Sequence, residues 1–164
     1  MARIDQNLYL KNSVVLLRLF IGWHFLYEAV IKLYNPDWTA FGYLATAQGP
    51  LRGFYVALTN ESLIGTVDML NTFTLLFVGL TLTLGIFEKW GAFAGIGILA
   101  LYYLAHPPFP GAIQMNVEGN YWFVNKILIE LIACAIILLY PTGRYFGLGH
   151  LFQPEQKTLK TENP

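Results

Sequence analysis

The sequence predicts an all-α, polytopic membrane protein: a four-transmembrane-helix bundle with N and C termini cytoplasmic and a short interfacial helix in the first outer loop. Three observations predict it. Apolar residues make up 55% of the 164 residues, aromatics 16% and charged residues 12%, a charged share about half that of an ordinary globular domain. A soluble core of this size cannot hide so many apolar side chains. The apolar residues gather into four runs, 14–33, 62–87, 90–105 and 121–140, each approaching the ~20 residues that cross a bilayer core. Basic residues are also unevenly distributed. Arg3 and Lys11 precede the first run, Lys89 separates the second and third, and Arg144, Lys157 and Lys160 follow the fourth, against Arg52 alone on the other side. By the positive-inside rule this puts both termini in the cytoplasm. Residues 1–152 form a single membrane domain and 153–164 a polar, disordered cytoplasmic tail.

Each element follows from local chemistry. The first run is too long, and lacks the small-residue cleavage site, for a removable signal peptide. In the outer segment 34–60, Asn35-Pro36-Asp37 opens a turn and Gln48-Gly49-Pro50 breaks the chain again. Between them Trp38, Phe41, Tyr43 and Leu44 suit a short helix in the headgroup region. The second run is long enough to tilt. A tight turn at Phe87-Glu88-Lys89-Trp90 folds the third run back against it as a hairpin. In the third run Gly91 and Gly95, with Ala94 and Gly97 beside them, make a small-xxx-small pattern suited to close helix packing. Such a pattern more often marks a Gly-rich membrane helix than a dimer face. Segment 106–120 is too rich in Pro and Gly for regular helix.

Several classes are excluded. No ~10-residue alternating segments suggest a transmembrane barrel. Cys134 is the only cysteine, which rules out a disulfide framework, a redox Cys-x-x-Cys pair or a cysteine metal site within one chain. A formal net charge of zero gives no footprint for nucleic acid.

The first run carries Arg18, His24, Glu28 and Lys32 among its apolar residues. At 100° per residue, with Glu28 as zero, Lys32 lies near +40°, His24 near −40° and Arg18 near +80°. These ionisable groups share an arc of about 120° and predict a polar face turned inward. At 1.5 Å per residue, Glu28 and Lys126 are expected about 7–8 Å below the outer surface, Asp68 roughly 10 Å, and His24 and Glu130 about 13 Å, with Asn71 one turn below Asp68. Hence Glu28, Lys32, Asp68, Asn71, Lys126, Glu130 and His24 are expected to converge in the outer half of the bundle, with His106 at its rim. Tyr27, Trp38 and Trp122 are the expected pocket wall. Arg18, near the cytoplasmic end, is expected to snorkel to the surface.

Two readings of these charges stand side by side. Arg18, Glu28, Lys32, Asp68, Lys126 and Glu130 sum to zero, and each unpaired intramembrane charge costs at least ~2.5–3.5 kcal/mol. They are therefore either ion pairs that lock helix register, Glu28/Lys32 and Lys126/Glu130 at i,i+4 spacing, or the lining of a site for ligand binding or proton transfer. His24 and His106 differ in expected depth by about 13 Å, too far to share one haem. The sequence holds no haem, flavin or metal motif. His150, in the tail region, is expected to be an ordinary surface histidine.

The stretch Leu17 to Lys32 followed by Asn35-Pro36-Asp37-Trp38 resembles the first helix and loop of DoxX-like membrane proteins. Leu84 to Gly91, Leu104-Ala105-His106-Pro107-Pro108-Phe109 and Gly119 to Glu130 continue the resemblance, which covers roughly residues 14–140. Ala29 stands where the family pattern leads one to expect glycine, which implies a looser approach there. The resemblance implies a multi-pass protein of a prokaryotic cytoplasmic membrane. Some relatives are associated with thiosulfate:quinone oxidoreductase and others with membrane complexes of redox and detoxification proteins. It assigns no catalytic residue.

The expected function is a membrane subunit of an oxidoreductase system, with quinone as the candidate cofactor and a sulfur compound as the electron source. Its expected partners are the bilayer and a membrane or soluble redox subunit, or further copies of the chain. The alternative is a non-catalytic anchor or assembly partner whose buried charges are structural. A small transporter is a third reading, limited by the little room that four helices leave for alternating access.

Overall fold

The computed structural model describes residues 2–108 and 121–149, with side chains from Asn7 onward. Six helices follow in order: α1 (Ala2–Tyr34), α2 (Phe41–Ala45), α3 (Arg52–Ala57), α4 (Glu61–Leu84), α5 (Glu88–Ala105) and α6 (Lys126–Leu139). Among the described residues there is no strand, only an isolated bridge between Tyr121 and Val124. The chain is all-α.

Helix α1 begins well before its expected apolar run, because no proline or glycine interrupts the chain until Gly22. Helix α4 is capped at its start by Asn60, whose side chain accepts from Ser62 N at 3.0 Å. It ends at Gly85, which takes the left-handed conformation (φ 69°) that a C-terminal cap requires. The reversal into α5 therefore occupies Gly85–Phe87 rather than the expected Phe87–Trp90, and Glu88 is already helical. Helix α6 starts five residues later than expected. Tyr121–Val124 close a turn, and Asn125 caps the helix by accepting from Leu128 N at 3.0 Å. A short helix is present in the segment after α1 as α2, and α3 adds a second at Arg52–Ala57.

α1 packs along α4 and α6, and α5 packs along α4 and α6. Their shared core is Phe25, Ala29, Leu75, Val78, Leu82, Ala92, Ile98, Leu99, Cys134 and Ile137. Ala29 is fully buried there, so it does not hold α1 away from its neighbours. At the crossing of α1 and α4, a Cβ on Gly79 would stand 2.5 Å from Leu26 N, so only glycine permits that approach. Gly91 and Gly95 face Thr81 and Cys134 of the same chain, and their small-residue pattern is used internally. Leu44, Ala47, Tyr55 and Ala105 form a smaller cluster where α2 and α3 cover the end of α5.

Two stretches are long and apolar enough to cross a membrane, Asn7–Tyr34 and Glu61–Leu84, with mean hydropathy 1.7 and 1.6. α5 has 18 residues, beginning with the charged Glu88 and Lys89, and α6 has 14. α5 slightly exceeds the run 90–105 that suggested it, whereas α6 is shorter than the run 121–140. The expected tail 153–164 and His150 lie outside the described residues.

Arg18 corrects an expectation. It does not reach the surface but is 0% exposed, its Nη1 3.3 Å from Glu88 Oε2. Arg18 also donates to the carbonyl of Phe146. Glu88 in turn accepts from Thr142 N at 3.0 Å and Gly143 N at 2.6 Å. With each carboxylate oxygen occupied, this pair ties α1, α5 and the chain after α6 together at the end of the bundle remote from α2.

Candidate functional site

The polar face of α1 meets the other helices at the opposite end. Glu28 and Lys32, one turn apart, pair at 2.7 Å, as i,i+4 spacing allows. One turn before Glu28, His24 crosses the seam between α1 and α6, its Nε2 3.5 Å from Glu130 Oε1. The expected Lys126/Glu130 pair is not made. Lys126 is the exposed first residue of α6, and among the described residues it has no salt-bridge partner. The Asn125 cap makes Lys126 the first residue of α6, and Glu130 faces His24 instead.

Between these groups lies a cavity of about 330 Å³. His24, Glu28, Lys32, Lys126 and Glu130 line it together with Asn71 of α4 and Trp38 of the loop after α1. The indole of Trp38 lies 5.1 Å from Lys32 Nζ, a cation–π distance. The floor is apolar, formed by Phe25, Leu75 and Leu99. Charge therefore gathers around the walls and mouth of an otherwise greasy hollow.

Four expected site residues lie elsewhere. Asp68 does not line the cavity and accepts from Ala40 N at 2.8 Å, tying the loop before α2 to α4. His106 caps the end of α5, its Nε2 2.8 Å from the carbonyl of Tyr43. Tyr27 is 54% exposed on the outer face of α1, about 100° from Glu28 around the helix. Trp122 is 68% exposed, in the turn ahead of α6 rather than on the helix.

Two tyrosines complete the lining that the sequence reading passed over. Tyr102 of α5 donates its hydroxyl to Asn71 Oδ1, and Tyr43 of α2 donates to the carbonyl of Tyr102 at 3.0 Å. Burial pushes the Tyr43 phenol above its ordinary range, and the neighbouring Tyr102 and Tyr55 add to the shift. It stays a neutral donor at any physiological pH. The signal for Tyr102 was its place three residues after Leu99, on the same face of α5. For Tyr43 it was the amphipathic pattern of the short helix.

The arrangement can do three things chemically. It can grip a flat ring against Trp38, offer hydrogen-bond donors of either charge state, and hold or release protons at His24, Glu28 and Glu130. Its volume is at the small end of the about 300–1,000 Å³ typical of ligand pockets, the scale of one substituted ring. No family model matches the chain, and no curated protein or solved structure does. The functional reading therefore rests on the cavity itself.

Proposed function

We propose that this chain is a DoxX-like integral subunit of a membrane oxidoreductase system, and that its cavity takes the headgroup of a quinone. One observation carries the reading: a single ring-sized cavity holds two acid–base couples, Glu28/Lys32 and His24/Glu130, on its walls, with Lys126 unpaired at its mouth among the described residues. A bound quinone accepts two electrons and two protons. The residues of this chain would serve the protons, one couple toward each ring oxygen, while Trp38 and Tyr102 hold the ring. The electrons would come from a partner subunit acting on a reduced sulfur compound.

In this reading α1, α4, α5 and α6 all cross the cytoplasmic membrane of a prokaryote, with both termini inside and α2 and α3 resting on the outer surface. The broad apolar exposure of Phe20, Trp23, Phe73, Phe93 and Ile132 supports a lipid solvent on every side of the bundle. His24 keeps 42% of its side chain exposed at the α1–α6 seam, which suits access from the bilayer by a ligand with a lipid-soluble tail.

Glu28→Gln and Lys126→Met test the site. Each variant is expected to fold and insert, yet to lose at least tenfold of the quinone that co-purifies in mild detergent, measured by mass spectrometry. Undiminished quinone in both variants, or none with the parent chain, removes the proposal.

A second reading is supported by Arg18 and Glu88, whose buried pairing at 3.3 Å stands apart from the cavity of Glu28 and His24. It takes the chain as a non-catalytic anchor with purely structural charges. An anchor loses a co-purifying subunit, not a ligand, when Glu28 is changed.

A further inference from the structure

A second cavity, of about 540 Å³, opens at the other end of the bundle, between the α4–α5 turn and the chain that follows α6. Lys89 and Arg144 line it, both exposed. Among the described residues, neither cation has a carboxylate within salt-bridge distance. Among the described residues the one carboxylate at the cavity is Glu88, and it is already taken up by Arg18 and by the N–H groups of Thr142 and Gly143. Among those residues, two positive charges thus face one hollow without a carboxylate to pair with.

The flank of the cavity is aromatic. Trp90 is 69% exposed and Phe87 65%, and both line the hollow beside Lys89. Amphipathic rings next to basic side chains are the composition of a membrane–water interface. A soluble anion needs only the cations. The adjoining exposed rings favour a ligand whose charged group continues into apolar chains.

We propose that this cavity binds the phosphate of an anionic phospholipid, with Lys89 and Arg144 on the headgroup and Phe87 and Trp90 against the upper acyl chains. Lysine supplies a mobile point charge and arginine a planar fork matched to phosphate oxygens. The site would hold this end of the bundle at the charged leaflet surface. The inference rests on the bilayer reading but not on the quinone reading.

Delipidated full-length protein in detergent, titrated with phosphatidylglycerol or phosphatidylcholine and followed by native mass spectrometry, tests it. The parent chain is expected to prefer phosphatidylglycerol at least tenfold. Lys89→Gln with Arg144→Gln should weaken that binding roughly 30-fold, at about tenfold or less per basic group. Lys89→Arg with Arg144→Lys should retain it, and Glu28→Gln, in the other cavity, should leave it unchanged. Equal binding of the two lipids, or full preference in the double glutamine variant, overturns the site. Displacement of the lipid by millimolar inorganic phosphate overturns the lipid assignment in favour of a free anion.

Discussion

Arg18 and Glu28 sit on the same helix, carry opposite charges and have opposite surroundings. Arg18 is enclosed with Glu88, whereas Glu28 keeps 43% of its side chain exposed beside Lys32. Removing one member of a buried pair strands the other, which costs about 3–5 kcal/mol. The i,i+4 pair of Glu28 and Lys32 is only part-buried, and losing it costs less, about 1 kcal/mol. Glu88→Ala is therefore expected to lower the thermal unfolding midpoint strongly in detergent, while Glu28→Gln changes it little. If the ranking were reversed, the cavity charges would be structural and the anchor reading would gain. The contrast also marks what single residues disclose in sequence. Helical spacing alone put His24, Glu28 and Lys32 on one face, and depth counting added Asn71, Lys126 and Glu130. In sequence Glu88 reads as part of a tight turn, and nothing local tells that its partner stands 70 positions away. Tyr27 failed for a simpler reason: its neighbour's direction on the wheel was not applied to it.

At the level of elements, the apolar runs located the four long helices, but the caps decided where they end. Asn125 shortened α6 and so moved Lys126 to the mouth of the cavity, and Gly85 moved the hairpin turn back and released Glu88 into α5. Cap chemistry is readable from sequence, yet an apolar run gives it no reason to interrupt. The crossing of α1 and α4 was less accessible still. Gly79 sits in the middle of α4 with Thr83 one turn on, and a Cβ there would meet the Leu26 backbone at 2.5 Å. Gly79→Val should force those helices apart, at about 1–3 kcal/mol for overpacking. Since α1 carries one wall of the cavity and α4 another, quinone retention should fall with it. Gly97→Val, at a glycine whose added Cβ would meet open space, is the matched control and should leave retention unchanged.

For the whole molecule, the decisive question is which end of the bundle faces which side. The cations Lys89 and Arg144 gather at one end, and α2 and α3 cover the other. If the basic end is cytoplasmic, as the positive-inside rule predicts from the sequence, then Arg52 on α3 must be outside and Lys11 on α1 inside. Cysteine labelling resolves this cleanly, because Cys134 is fully buried and should be silent toward a membrane-impermeant maleimide. Arg52→Cys is expected to react in intact cells. Lys11→Cys and Lys89→Cys are expected to react only after the cells are opened. The opposite pattern would place the ring-sized cavity on the cytoplasmic side and the basic cavity outside, away from the anionic leaflet surface. Protons would then be exchanged with the wrong compartment, and a headgroup site built on two lysine- and arginine-type charges would lose its electrostatic rationale. Labelling of Arg52→Cys and Lys89→Cys from the same side would go further, since α4 and α5 meet in a hairpin whose turn holds Lys89 at the end remote from α3. No membrane-spanning arrangement of this fold puts both on one face, so that result would count against insertion across the bilayer altogether.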